Sequence, residues 1–398
     1  MKTEAAREYH IVVLICLIEI LTMAAFSCYA SFLPTLRKEW DMTAAQAGFV
    51  GGAFFFGYML TVPILSSLTD RIDARTVFSA ASCLNAAGML GFAFFANSVY
   101  SAALFQALAG IGLAGNYMPG LKVMTDRVES ARQSRYIAFY TASFGLATSL
   151  SLLNSGWLSG FFSWRTTMIL LTSGPLLAAL LMWLCIERKN PVAARTETLF
   201  SQFGKVWSFH KARRYIYGYT SHCMEVFGVR AWLVAFFTFA FSLNASPVSA
   251  TEAAAIINLF GIPASILGNE AADRVGRKRW IVAIMMLSGS LSWIIGFSTT
   301  FSWWVTIGTV SVYFVSVMLD SSSLTAGLVQ ATPQNYRGTA MAIYSFFGFG
   351  IAFIAPMLFG AILDHSGGMD SMKAWTLAFG MLGFGCLVWS ITNVRSEE

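Results

Sequence analysis

The sequence predicts an all-α membrane protein with twelve transmembrane helices in two pseudo-symmetric six-helix bundles. Hydrophobic residues make up 56% of the 398-residue chain and charged residues only 12%, about half the charged fraction of a soluble protein. The apolar residues form long continuous runs, whereas the strands of a transmembrane barrel alternate polar and apolar residues. The composition therefore excludes a soluble enzyme, a disordered chain, a nucleic-acid-binding domain and a transmembrane barrel.

Twelve stretches are apolar enough and long enough to cross a bilayer, which takes about 20 helical residues. They cover residues 11–33, 43–67, 76–96, 100–122, 136–159, 166–187, 214–241, 251–271, 280–299, 302–327, 338–363 and 374–394. Turn residues and charges separate them, such as Pro34 before Arg37. The first stretch follows Lys2 and Arg7 as a signal peptide would. It is longer than the about 7–15 apolar residues of a cleaved signal, so we expect it to be retained.

The basic residues predict the orientation. With twelve spans, both termini lie on one side of the membrane. That side holds 21 of the 26 lysines and arginines, the other side holds four, and Arg230 lies within a span. Because basic loops stay in the cytoplasm, we expect both termini to be cytoplasmic, in a bacterial-type plasma (inner) membrane. The net charge of +6 is then a signal of topology rather than of nucleic-acid binding.

The longest polar segment divides the chain into similar halves. We predict a first six-helix bundle over residues 1–187, a cytoplasmic linker over 188–213 and a second six-helix bundle over 214–398. The halves also share positions, because Asp70–Arg71 after the second span corresponds to Asp273–Arg274 after the eighth at an offset of 203 residues. Repeats of this kind are typical of secondary transporters, which bind substrate near the midplane between the repeats.

Two six-helix halves, a long central loop and a doubled Asp-Arg loop together resemble the major facilitator superfamily over essentially the whole chain. The family signature after helix 2 is Gly-x-Leu-Ala-Asp-Arg-x-Gly-Arg-Arg/Lys. Residues 273–279 are close to this pattern, whereas residues 66–75 are a degraded copy. Asp73 stands where the family has Gly, which we expect to be tolerated because Asp enters left-handed backbone conformations more readily than most residues.

The resemblance implies that both loops gate the transport pathway. The residues concerned are Asp70, Arg71, Arg75, Asp273, Arg274 and Arg277. Asp70 would accept hydrogen bonds from a helix end of the other half in one conformation, and Arg71 and Arg75 would pair across the cytoplasmic seam. An exposed anion at a helix N-terminus contributes about 0.3–1 kcal/mol, which is enough to bias a balanced two-state equilibrium.

Polar and ionisable residues inside the spans are the candidates for function, because charge within a membrane is costly. In the resembled family helices 1, 4, 7 and 10 line the cavity. The candidate substrate- or proton-binding residues on these helices are Glu19, Asn116, Tyr117, His222, Glu225, Arg230 and Asp320. Asn116 and Tyr117 are chosen because they correspond to Asp320 at the offset of 203. Each candidate also has a structural alternative, such as a satisfied interface histidine for His222 or a cap on a broken helix for Asp320.

The charges within the spans favour proton coupling. Three acids, Glu19, Glu225 and Asp320, accompany the one cation Arg230, so the cavity would carry a charge of −2 if all were ionised. Burial and repulsion oppose that state, and we hypothesise that Glu225 or Glu19 binds and releases a proton. Arg230 lies about 140° around the helix from Glu225, so we expect it to pair with another helix, for instance through Glu19.

The sequence thus predicts a secondary active transporter that moves a small organic solute by alternating access, coupled to protons. A monoanion on Arg230, or a neutral or cationic solute recognised by Glu225, fits these charges, and a dianion is disfavoured. The alternatives are a non-transporting receptor or assembly protein on the same scaffold and, among transporters, a drug or metal exporter. Drug antiport is disfavoured because residues 145–156 lack the Gly-Pro of the drug/proton antiporters.

The sequence offers no basis for enzymatic activity or a cofactor. We find no nucleophile–base pair, no metal-ligand spacing and no phosphate-binding GxxxxGK(S/T) loop. Gly110-Ile111-Gly112 is better explained by close helix packing than by nucleotide binding. The expected partners are a small-molecule substrate, protons and the lipid bilayer, without nucleic acid, and we expect a monomer.

Overall fold

The computed structural model of the protein describes residues 2–128, 133–189 and 199–394. These residues are almost entirely helical, and two single 3₁₀ turns follow α12 and α15. The α-helices within these ranges are α1 (Lys2–Thr22), α2 (Cys28–Glu39), α3 (Ala44–Leu68), α4 (Ala74–Phe95), α5 (Val99–Ala114), α6 (Tyr117–Arg127), α7 (Gln133–Ser159), α8 (Trp164–Cys185), α9 (Leu199–Ser208), α10 (His210–Leu243), α11 (Ala250–Val275), α12 (Arg277–Leu291), α13 (Ile295–Ser298), α14 (Trp303–Met318), α15 (Ser321–Ala331), α16 (Arg337–His365) and α17 (Met372–Val394).

The helices confirm a multi-pass integral membrane protein. Among the described residues, eleven helical segments are long enough and apolar enough to cross a membrane. Large apolar side chains cover the outside of these helices. Phe95, Tyr100, Trp157 and Leu184 each expose more than two thirds of their surface. A surface of this kind is stable against lipid and would be a liability in water.

The first predicted span, residues 11–33, is not one continuous helix. Residues 23–27 form turns that separate α1 from α2. Ser151 of α7 compensates for the interruption, because its hydroxyl accepts the backbone N–H of Ser27 at 2.9 Å and donates to the carbonyl of Ala24 at 2.8 Å. Within a membrane a helix can be interrupted only where other groups take up the freed backbone hydrogen bonds.

Two further predicted spans are interrupted at corresponding places. The fourth consists of α5 and α6, with the break at Gly115 and Asn116, and the tenth consists of α14 and α15, with the break at Leu319 and Asp320. The breaks lie 204 residues apart, one more than the offset between the Asp-Arg loops. In the structure Asn116, rather than Tyr117, is therefore the counterpart of Asp320.

The chain forms two compact units. Unit 1 contains Met1–Phe32 and Ala53–Thr196, and unit 2 contains Leu33–Gly52 and Glu197–Glu398. The start of α3 belongs to unit 2 because the carboxylate of Asp364, near the end of α16, accepts the N–H groups of Ala44 at 2.9 Å and Ala45 at 2.8 Å. Helix α10 begins at residue 210, inside the segment that the sequence predicts as a linker.

Close backbone packing positions the helices of unit 1. A Cβ atom on Gly110 would lie 1.9 Å from the carbonyl oxygen of Phe54, and one on Gly112 would lie 2.2 Å from the backbone nitrogen of Asn85. Only glycine allows α5 to approach α3 and α4 so closely. The packing explanation of this glycine pair is confirmed.

A buried aromatic cluster holds α10, α16 and α17 together in unit 2. Its members are Trp232, Phe236, Phe359, Trp375 and Phe379, which are all fully buried. Their ring centroids lie 5.1 to 6.3 Å apart in stacked, tilted and edge-on arrangements. Aromatic pairs of this geometry contribute about 0.5–1.5 kcal/mol each beyond their buried area. The cluster gives α10, which carries three of the candidate residues, a rigid support.

Candidate functional site

Glu19 lies at the centre of a buried polar group in unit 1. Its carboxylate is inaccessible to solvent. The hydroxyl of Tyr140 on α7 lies 2.9 Å from Oε2 of Glu19 and 3.0 Å from the backbone carbonyl oxygen of Tyr117. The other carboxylate oxygen, Oε1, is buried and has no hydrogen-bond partner among the described residues. A buried polar atom without a partner is rare in proteins, so Oε1 is available to a proton or a ligand.

Asn116 and Tyr117 lie at the break between α5 and α6 and have different surroundings. The amide of Asn116 donates to the hydroxyl of Ser82 at 2.7 Å and to the carbonyl of Phe78 at 3.2 Å, which fastens the break to α4. The ring of Tyr117 stacks on that of Tyr140, with centroids 5.4 Å apart. The geometry thus gives Asn116 a supporting position and places Tyr117 beside Glu19.

His222 and Asp320 form a buried pair in unit 2. Nδ1 of His222 lies 2.7 Å from Oδ1 of Asp320, and both side chains are buried. The His222 ring lies parallel to the ring of Tyr219, which stacks on Tyr344 at a centroid distance of 3.6 Å. Asp320 occupies the residue before α15 but caps none of its N–H groups. The interpretation of Asp320 as a cap on a broken helix is therefore wrong, because its carboxylate faces α10 instead.

Glu225 is a fully hydrogen-bonded carboxylate in the interior of unit 2. Its Oε2 accepts the hydroxyl of Ser288 on α12 at 2.9 Å, and its Oε1 accepts the hydroxyl of Tyr313 on α14 at 3.1 Å. Glu225 is therefore bound by two neighbouring helices, and each of its oxygens has a hydrogen-bond partner. Of the two acids proposed for proton binding, Glu19 has the free oxygen and Glu225 does not.

Arg230 is the one candidate cation inside the spans, and it is only half-buried. Its Nε donates to Oδ1 of Asn258 on α11 at 3.0 Å, and its guanidinium lies 5.9 Å from the ring centre of Phe314. Among the described residues, no carboxylate lies within 4 Å of this guanidinium and no acceptor contacts its two terminal nitrogens. The pairing of Arg230 with Glu19, which lies in the other unit, stays a prediction. Nε is thus hydrogen-bonded, whereas the two terminal nitrogens can still form the two parallel hydrogen bonds that bind a carboxylate ligand.

The first Asp-Arg loop is tied to its own unit by ion pairs. Lys122 of α6 lies 3.6 Å from Asp70, and Arg127 at the end of α6 lies 3.5 Å from Asp73. Arg75 donates to the carbonyl of Ile186 at 2.8 Å and stacks on a tryptophan of α8. Arg75 is thus held within unit 1, beside the second half of the broken helix.

The two loops differ at the position where the family pattern has glycine. In the second loop Gly276 has a φ of +101°, which disfavours any residue with a Cβ atom. In the first loop the corresponding Asp73 has a φ of −51° and caps α4 by accepting the N–H of Arg75 at 3.1 Å. The reason given for tolerating Asp73, a left-handed conformation, is therefore wrong. The aspartate is accommodated by becoming an N-cap, a role that favours this residue type.

The second Asp-Arg loop reaches the broken helix of its own unit. Arg277 forms an ion pair with Asp273. Its guanidinium also donates to Oδ1 of Asn269 at 2.8 Å and to the carbonyl of Ser323 at 3.3 Å. Ser323 lies in the first turn of α15, three residues after Asp320. Arg274 is exposed and lies 3.9 Å from Glu270 on its own helix.

The hydrogen-bond partners of three charged candidate residues were not predicted from the sequence. These are Tyr140 for Glu19, Ser288 and Tyr313 for Glu225, and Asn258 for Arg230. Thirteen tyrosines are spread over the chain, and hydropathy does not rank them. One sequence signal could have identified Tyr140, because Tyr140 and Tyr344 lie 204 residues apart, which is also the offset between the two helix breaks.

Comparisons with known proteins agree with this architecture. The sequence pattern of the Major Facilitator Superfamily matches residues 15–268 and 220–395. The chain is 22% identical over 354 residues to an MFS-type efflux pump from Mycolicibacterium smegmatis, covering 84% of this chain and 80% of that protein. It is 24% identical over 394 residues to a probable 4-methylmuconolactone transporter from Cupriavidus pinatubonensis, covering 90% and 85%.

Two further likenesses are more limited, one in the length that matches and the other in sequence identity. The chain is 24% identical to the niacin transporter NiaP from Acinetobacter baylyi over 141 residues, which span 35% of this chain and only 32% of that protein. A crystal structure of a bacterial homologue of the human lysosomal transporter Spinster, inward-facing and unoccupied, matches with a TM-score of 0.77. This match covers 97% of this chain and 95% of that chain at 14% identity, and it shows that the two share a fold.

Proposed function

Because the chain belongs to the Major Facilitator Superfamily, we propose that it is a secondary active transporter that moves a small organic monoanion by alternating access, coupled to protons. It works as a monomer in a bacterial-type inner membrane, with both termini in the cytoplasm. The sequence halves 1–187 and 214–398 act as its two moving bundles. The observation that carries the proton coupling is the arrangement of Glu19, Tyr140 and Tyr117.

Tyr140 has one hydroxyl hydrogen and two acceptors within hydrogen-bond distance. When Glu19 is ionised, that hydrogen goes to Oε2 and the carbonyl of Tyr117 loses it. When Glu19 carries a proton on Oε2, the carboxyl donates to the Tyr140 oxygen, and Tyr140 donates to the Tyr117 carbonyl. In the protonated arrangement the Tyr117 carbonyl accepts the Tyr140 hydroxyl in addition to the backbone hydrogen bond that it accepts within α6. A proton on Glu19 therefore changes the hydrogen bonding of the first residue of α6, immediately after the helix break.

Arg230 supports a monoanion as the solute. Its open nitrogens can bind one carboxylate through two parallel hydrogen bonds. The relative named as a niacin transporter carries a solute of this chemical class. Both oxygens of Glu225 already accept hydrogen bonds from side chains of unit 2, which favours Arg230 over Glu225 as the group that binds the solute.

The Asp-Arg loops link the helix breaks to the proposed gate. Lys122 and Arg127 connect the first loop to α6, and Arg277 connects the second loop to α15. A change at either break thus reaches a loop through one contact. Arg71 and Arg274 are exposed and serve the conformations in which the loops engage the other half.

Reconstituted protein tests the proposal directly. Proteoliposomes are assayed for counterflow of labelled nicotinate and for proton movement with an internal pH dye, with benzoate, succinate, a sugar and an amine as competitors. We expect monocarboxylates to compete and the other classes to fail. R230Q should lower nicotinate affinity about 10- to 150-fold, the range for a charge-assisted hydrogen bond of 1.5–3 kcal/mol.

Glu19 is tested against a matched carboxylate. E19Q should keep nicotinate counterflow and lose substrate-dependent proton movement. The control is E252Q, which removes an exposed acid from the start of α11 and should leave both readouts unchanged. Equal proton movement in E19Q and E252Q contradicts proton coupling through Glu19. Folded wild-type protein that moves none of these solutes contradicts the transport proposal for monoanions.

A further inference from the structure

A groove lies between the first turns of α10 and the end of α17, within unit 2, and none of the candidate residues lines it. Its volume is about 590 Å³. Trp389 of α17 fixes its geometry by donating its indole N–H to the backbone carbonyl of Arg214 at 3.0 Å. The groove therefore has walls from two helices whose ends are hydrogen-bonded to each other.

One end of the groove is strongly basic. His210, Arg213 and Arg214 line it, and a terminal nitrogen of Arg213 lies 2.6 Å from Nδ1 of His210. Among the residues that the structure describes, no carboxylate lies within 4 Å of the guanidinium of Arg213 or Arg214. Two half-buried arginines without an acidic neighbour form a positively charged site that an anion can neutralise.

The other end of the groove is apolar and lies at the depth of the membrane-spanning helices. Tyr217, Phe384 and Val388 line it, and each exposes more than 40% of its surface. Tyr217 is one turn beyond Arg213 on α10, so the wall changes from basic to apolar in the direction of the membrane interior. A ligand that fills the whole groove needs an anionic head and a hydrocarbon tail.

We propose that this groove binds one anionic phospholipid, with its phosphate on Arg213 and Arg214 and an acyl chain along Tyr217, Phe384 and Val388. In the orientation proposed above, the basic end faces the cytoplasmic leaflet, where basic pockets between helices recognise anionic head groups. Free inorganic phosphate would satisfy the arginines but would leave the apolar wall uncovered. The lipid contacts α10, the helix that carries His222, Glu225 and Arg230.

Native mass spectrometry of the purified full chain measures this site. Phosphatidylglycerol is titrated against phosphatidylethanolamine of the same acyl chains, and the retained lipid is counted. Each arginine near the membrane surface contributes about fivefold to the affinity for an anionic lipid, so R213Q/R214Q should weaken phosphatidylglycerol binding about 30-fold. The matched control K278Q/R279Q removes two adjacent charges at the start of α12, outside the groove, and should change binding less than threefold.

Two further measurements separate a lipid from a small anion. V388W keeps both arginines and fills the apolar wall, and it should also weaken phosphatidylglycerol binding. Glycerol 3-phosphate should not displace the lipid. If the double variant does not purify as a folded protein, R214Q alone, with an expected fivefold loss, and V388W decide the question.

Three results would overturn the proposal. The first is equal phosphatidylglycerol binding by wild-type protein and R213Q/R214Q. The second is equal retention of phosphatidylethanolamine and phosphatidylglycerol by wild-type protein. The third is displacement of the lipid by glycerol 3-phosphate, which would assign the arginines to a small soluble anion. None of these results depends on transport, so they are independent of the test of the proposed function.

Discussion

Replacing Tyr140 with phenylalanine tests the hydrogen-bond arrangement around Glu19. The substitution removes one hydroxyl and leaves Oε2 of Glu19 without its donor, whereas the carbonyl of Tyr117 keeps the hydrogen bond that it accepts within α6. A buried polar group that loses its partner costs about 1–3 kcal/mol. In a domain of the size of unit 1, each kcal/mol lowers the melting temperature by about 2–4 °C. We therefore expect Y140F to lower the melting temperature by roughly 2–12 °C.

A matched variant and a double-mutant cycle make this measurement specific. Y136F removes the same atom one turn earlier on α7, from a buried tyrosine whose hydroxyl forms no hydrogen bond with a described residue, and should shift the melting temperature by less than 1 °C. The cycle of E19Q, Y140F and the double variant should give a coupling of about 0.5–3 kcal/mol, the range for groups in contact. Additive effects, or equal shifts for Y140F and Y136F, would refute the proposed hydrogen bond.

Three other substitutions test the remaining elements. D364A removes the carboxylate that caps the start of α3 and should cost about 0.5–2 kcal/mol, whereas D364N should recover part of it in a thermal-shift assay; an unchanged D364A contradicts the cap. G112A forces a Cβ into the neighbouring helix and should cost at least about 1–3 kcal/mol. G308A, where nothing lies within 4 Å, should be neutral or stabilising, and similar effects of the two would exclude close packing. H222Q and D320N should each reduce nicotinate counterflow, and the double variant should reduce it no further, because the two residues act as one pair; independent losses contradict that pairing.

Much of the fold followed from patterns along the chain. Eleven of the predicted crossings correspond to helices of sufficient length and hydropathy, because a bilayer imposes an apolar length that composition reveals directly. The exception, residues 11–33, is instructive. Its turns at 23–27 are stabilised by Ser151, which lies more than 120 residues away along the chain. The local sequence around residues 23–27 therefore does not predict them.

The sequence predicts which residues are candidates for the site, but it does not predict how their side chains pair. The free-energy cost of placing a charge within a membrane span was enough to select Glu19, Glu225, Asp320 and Arg230 as candidates. The partner of each residue depends on how the helices are rotated and packed, which hydropathy does not encode. The structure thus joins His222 to Asp320 and surrounds Glu225 with hydroxyls, although these acids look alike in sequence.

The sequence by itself determined the membrane class, the repeated halves and the positions of the charges inside the spans. The reason is that the bilayer penalises polar groups within its hydrocarbon core, in whichever span they lie. It also predicts the orientation, through the basic loops. Only the tertiary structure decided where helices break, that Asp73 is an N-cap while Gly276 is left-handed, and which acid keeps a free oxygen. These features depend on hydrogen-bond partners from distant segments, which are brought together only when the helices pack.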